Sequence, residues 1–147
     1  MRQIRILSSL VLVVCALAAT VATAAGAAAD PVLGARGFAA PYGKGFGTAE
    51  PSEIFNGGDP SGSVSRITWS GWGNPSAIGH GLNPIFKPHG GYYRKPARIE
   101  LRATGLGKCG KRVAYTRLEV RIPKVPGGKL GKWFSWSGAK TLCKPPS

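Results

Sequence analysis

The chain has 147 residues and carries 20 Lys and Arg against 6 Asp and Glu, a formal net charge of +14. One domain with a modest core is expected at this length, because a chain this small leaves much of its surface wet. Six carboxylates are a thin supply for a glycosidase-type acid pair, and a charge of this sign and size points to polyanions as partners.

Residues 1–29 read as a secretory signal peptide. Arg2 and Arg5 precede an apolar run from Ile6 to Ala19, and small residues lead to Ala27, Ala28 and Ala29. Cleavage is expected after Ala29, with Ala25 as a serviceable second site. Cys15 lies inside the apolar run, the wrong place for lipid attachment. No other segment approaches the roughly 20 apolar residues that cross a bilayer, so no transmembrane segment is expected and the destination is extracellular or cell-wall associated. Removal of Arg2 and Arg5 leaves 18 basic and 6 acidic residues, a net +12 on the exported chain.

Residues 30–43 are small, Gly/Ala-rich and without period, and are expected to be a flexible lead-in. A single β domain is expected over 44–147. The chain's 22 Gly and 12 Pro would argue for disorder without aromatics. Trp69, Trp72, Trp133 and Trp136, with Phe and Tyr residues among the turns, argue instead for short strands around an aromatic core. Asn56-Gly57-Gly58-Asp59 reads as a tight turn, and the nearby Glu50 and Glu53 do not make it a calcium loop. Ser63–Ser70 reads as a strand fenced by Asp59-Pro60-Ser61-Gly62 and Gly71-Trp72-Gly73-Asn74-Pro75.

Residues 79–96 hold seven Gly and Pro, which forbids a helix and permits at most a short strand or two. They are expected to form a long, functional-looking loop. His80 and His89 lie in it with Lys87, Arg94 and Lys95 nearby. Two histidines and a cation can work on a phosphodiester, yet no carboxylate lies between Asp59 and Glu100 to orient either ring. Without a third ligand the two histidines are also an incomplete zinc site.

Arg98, Glu100 and Arg102 alternate with Ile99, Leu101 and Ala103, and a second alternation runs over 113–122. The two form an antiparallel hairpin, and opposite charges are expected to face each other across it. A pairing sum of 217 sets Arg98 against Glu119 and Glu100 against Arg117. Sums of 215 and 219 oppose like charges. Gly105-Leu106-Gly107-Lys108-Cys109-Gly110 matches a dinucleotide fingerprint, but no helix follows to receive a pyrophosphate, so it reads as the hairpin's loop. Cys109 and Cys143 are the two cysteines left after export, and an oxidising compartment makes them a disulfide. They lack the CxxC spacing or further soft ligands of a redox or metal site.

The stretches GFGTAEPSEIFNGGDPSG, ITWSGWGNPSAIGHGLNPIFKPHGGYYRKPARIELRA, AYTRLEVRIP and WFSWSGAKTLC cover the chain from about Gly45 to Cys143. They resemble an uncharacterised family of small secreted actinobacterial proteins. The resemblance implies export and a shared fold and supplies no catalytic residue.

The expected fold is all-β, a small antiparallel sandwich or partly closed barrel with one disulfide. The expected function is non-catalytic binding of an anionic cell-wall polymer or nucleic acid, without cofactor or metal. Its contacts are Arg94, Lys95, Arg98, Arg102, Arg117 and Arg121, with Trp72 as a stacking platform. The alternatives are a small secreted nuclease using His80 and His89, or an inhibitor or toxin module presenting residues 79–96.

Overall fold

The computed structural model describes residues 29–145. The signal segment expected at 1–29 lies outside them except for Ala29. The fold is all-β, a curled mixed sheet that makes a half-barrel closed by the Cys109–Cys143 disulfide. Its strands are β1 (Val32–Leu33), β2 (Ile54–Phe55), β3 (Ser63–Ser70), β4 (Ser76–Asn83), β5 (Ala97–Cys109), β6 (Arg112–Arg121) and β7 (Phe134–Ser135). They lie in the order β1-β6-β5-β4-β3-β2, and β7 shares the outer edge of β6 with β1. The β1–β6 pair is parallel; the other strand pairs are antiparallel.

The spine is the β5–β6 hairpin, and its register differs from the expected one. The partners sum to 221: Glu100 faces Arg121, Arg102 faces Glu119, and Cys109 faces Arg112. Both strands carry the order Arg-Glu-Arg at two-residue steps, so complementarity recurs after a slide of four and charge alone does not separate 217 from 221. The turn decides. Gly110 takes φ +64° and Lys111 does not, which is the pattern of a two-residue hairpin turn with glycine first. The loop expected over 105–110 is therefore mostly strand, with only Gly110 and Lys111 in the turn.

The long loop expected from residue 79 is also corrected. β4 runs through Gly79 and Gly81 to Asn83, with Ala77, Gly79, Gly81 and Asn83 facing inward. A Cβ on Gly81 would lie 2.6 Å from Val64 Cγ1, and one on Gly79 would lie 2.9 Å from the Trp69 ring. The glycines let β3 side chains cross directly over the β4 backbone, a use of strand glycine distinct from turn formation. Asn83 closes this end of the strand: its amide donates to the carbonyls of Ser61 and Ser63 at 2.8 and 2.6 Å.

Ile99, Leu101 and Ala103 of β5 and Leu118 and Val120 of β6 line the inner face with Ile54, Val64 and Ile67. Phe38, Phe46, Trp136 and Leu142 complete the same core. The 30–43 stretch is thus no free lead-in. Val32 and Leu33 pair with Ala114 and Tyr115, and Phe38 packs on Phe46 at 4.7 Å between ring centroids. Three buried apolar residues among small neighbours are enough to anchor a segment that lacks any period.

Tyr115 ties the two sides of the half-barrel together. Its ring is fully buried and meets Trp72 edge-on at 4.9 Å, and Trp72 meets Trp69 in the same way at 4.8 Å. The phenol donates to the Asn74 carbonyl at 2.6 Å and accepts from the Gly73 N–H at 2.9 Å. Burial pushes the phenol above its ordinary range, and the Gly73 bond opposes that rise only in part.

Tyr115→Phe should cost roughly 1–3 kcal/mol, because it leaves both turn groups without their partner. It should also change the alkaline limb. A folded-state pKa above the unfolded one stabilises fully below about pH 10 and loses that contribution as pH climbs through the raised value. The fall in wild-type stability above pH 10, followed by denaturant unfolding, should therefore be shallower in the Phe variant; parallel curves would show that the phenol does not carry it.

Candidate functional site

The outward face of β4, β5 and β6 carries most of the residues expected as contacts. The registers stack it in rows: Ser76, Thr104 and Arg117; then Ile78, Arg102, Glu119 and Ser135; then His80, Glu100 and Arg121; then Leu82 and Arg98. Alternation puts one face of each strand in the core, so these rows are what the sheet shows to solvent.

The two middle rows are internally neutralised. Arg102 binds Glu119 at 2.8 Å and Arg121 binds Glu100 at 2.7 Å. Trp133, one position before β7, meets both guanidinium groups, with centroid distances of 4.5 Å to Arg102 and 4.9 Å to Arg121. Both distances fall within the range of cation–π attraction. Arg102 and Arg121 are thus engaged by carboxylate and indole, and Trp133 covers them.

Arg117 and Lys140 are different. Among the described residues neither enters an ion pair. Both line a groove of about 700 Å³ together with Ser76, Arg102, Thr104 and Glu119, where the 135–140 segment passes beside β6. Glu119 is the one carboxylate in that lining, and it already holds Arg102. A Cβ at Gly105 would sit 3.0 Å from Arg117 Nε, so the glycine leaves the room in which this guanidinium lies.

Arg94 and Lys95 are exposed but line a separate concavity with Lys87, Tyr93 and Pro126. Trp72 is half-buried against Trp69 and Tyr115, and its indole N–H donates to the Pro31 carbonyl at 2.9 Å. It is a packing residue in this arrangement. The tryptophan that meets cations is Trp133, while Trp136 is in the core. His80 projects from the middle of β4 opposite Glu100. His89 lies on the turn between Phe86 and Tyr92, whose rings stack at 4.4 Å. The cavity that His80 lines does not include His89. Among the described residues no three His, Cys, Asp or Glu side chains cluster as metal ligands would.

Lys140 and Arg66 were not legible as site residues. Lys140 comes to the sheet only through the path of the C-terminal segment. Arg66 did leave a signal: Val64 and Ile67 are both apolar and three apart, a spacing that a regular strand cannot place on one face.

No family model, curated protein or solved structure matches this chain. The site is therefore read from its own chemistry.

Glu119→Gln should release Arg102 toward the groove. A half-buried, still solvent-screened pair of this kind contributes about 1 kcal/mol, so thermal unfolding should shift little while retention on a polyanion column increases. A loss of retention would show that Glu119 orients Arg102 for contact.

Proposed function

We propose that the protein is an exported, non-catalytic binder of an anionic extracellular or cell-envelope polymer, which it meets with the outward face of β4–β6. The observation that carries this reading is the groove beside β6. Arg117 and Lys140 stand there without carboxylate partners, next to Arg102, on a rigid sheet whose acids are already engaged. A linear polyanion satisfies such a surface by successive contacts along its length, and the net charge of +12 on the exported chain, 18 basic against 6 acidic residues, draws it in from a distance. Arg98 lies on the same face, in the row it shares with Leu82. The disulfide fits an oxidising location outside the cell.

Nothing in the placement of His80 and His89 supports joint work on one phosphodiester. The reading accordingly has affinity without turnover.

Two measurements test it. Retention of the exported protein on purified cell walls should fall steeply between low and physiological salt, where the Debye length is about 8 Å. On double-stranded DNA as a defined probe, Arg117→Gln with Lys140→Gln should reduce the slope of log affinity against log salt by about 2, one for each lost phosphate contact. An unchanged slope, or shortening of the nucleic acid during incubation, would overturn the reading.

A further inference from the structure

A second cationic concavity lies at the other margin of the outward face, where β3 departs from regular pairing with β4. Ser65 pairs with Leu82 and Thr68 with His80, so two residues of β3 oppose one of β4. This is a β-bulge, a device that re-aims side chains and recurs beside functional sites. Ile67 turns into the core, and Arg66 is exposed with φ +52°. Glycine adopts that left-handed conformation without steric cost, whereas a side chain is disfavoured there. The bulge nevertheless holds an arginine.

The concavity measures about 370 Å³ and is lined by Arg66, Thr68, His80, Leu82 and Arg98, with the edges of Gly81 and Ile99. No carboxylate is in the lining, and among the described residues neither Arg66 nor Arg98 makes an ion pair. The acid closest by register is Glu100, opposite His80. It is held by Arg121 at 2.7 Å with its side chain only 13% exposed, so it does not compete for these cations. Two guanidinium groups, an imidazole and a hydroxyl therefore surround one concavity from three adjacent strands.

We infer that this concavity is a binding site for a phosphate group, with Arg66 and Arg98 as its two charged arms. One guanidinium suffices for a carboxylate, which has two oxygens in a plane. Donors arriving from several directions match the tetrahedral oxygens of a phosphoryl group instead. The inference deepens the polyanion reading by naming the anion, and it rests on that reading only for the polymer that carries the phosphate.

The test uses the full exported chain with inorganic phosphate as probe and acetate at equal ionic strength as control, followed by NMR of the arginine and histidine side chains. Phosphate should shift Arg66, Arg98 and His80 signals saturably, and acetate should not. Arg66→Gly removes the guanidinium while suiting the left-handed backbone. It should leave the thermal midpoint unchanged or higher and weaken phosphate at least tenfold. Arg98→Gln should weaken phosphate to a similar degree. Lys111→Gln, which removes one charge at the distant hairpin turn, should change it less than twofold. Equal responses to phosphate and acetate, or equal losses in the Arg66 and Lys111 variants, would overturn the site even if salt-sensitive retention on walls persists. Saturable phosphate binding without any wall or DNA retention would uphold the site and overturn the polymer reading.

Discussion

The register of the β5–β6 hairpin is the constraint from which the rest of the molecule follows. The turn at Gly110 and Lys111 sets Leu101 beside Val120 and Ala103 beside Leu118 on the inner face, and Arg102 beside Glu119 on the outer one. A slip by a single residue would exchange the two faces. A slip by four, to a sum of 217, would keep the faces and the charge pairing but would place Lys108 and Cys109 in the turn in place of Gly110 and Lys111. It would also carry Tyr115 out of reach of Gly73 and Asn74. The glycine turn and the tyrosine tie therefore select the observed pairing from those that charge allows.

Much of this architecture was legible because it rests on local alternation. The strand at 63–70, the paired strands after residue 97 and the disulfide follow from β-rich and period-two patterning and from a pair of cysteines in a sequence that reads as exported. What escaped depends on contacts made from elsewhere. Gly79 and Gly81 look like loop residues until Val64 and Trp69 are seen crossing over them. The small residues before Lys44 look free until Val32 meets β6. Charge complementarity has a four-residue repeat in this hairpin, so it could narrow the register but not select it. At the site, the sequence displayed every cation equally, and only the fold shows which ones retain an unanswered charge.

That distinction governs how a basic protein meets its partners. Arg102 and Arg121 belong to a clasp of two ion pairs over one indole, which stiffens the middle of the outward face. Desolvating such a clasp for a ligand would sacrifice bonds already made, whereas Arg117, Lys140, Arg66 and Arg98 have no ion pairs to lose among the described residues. The face thus has a neutralised centre between two cationic margins. A polymer lying along it would be gripped at intervals instead of uniformly.

The parallel pairing of β1 with β6 bears on how the chain is completed. Val32 and Leu33 find their partners about eighty residues later, at Ala114 and Tyr115. Gly34 and Ala35 donate to Tyr115 and Leu142, and Leu142 in turn donates to Thr116. Contacts of such sequence separation make folding slow, because the intervening loop must be ordered before they form. The first strand has nowhere to dock until β6 is in place. The topology itself makes closure of the half-barrel a late event, dependent on the chain's two ends meeting at β6.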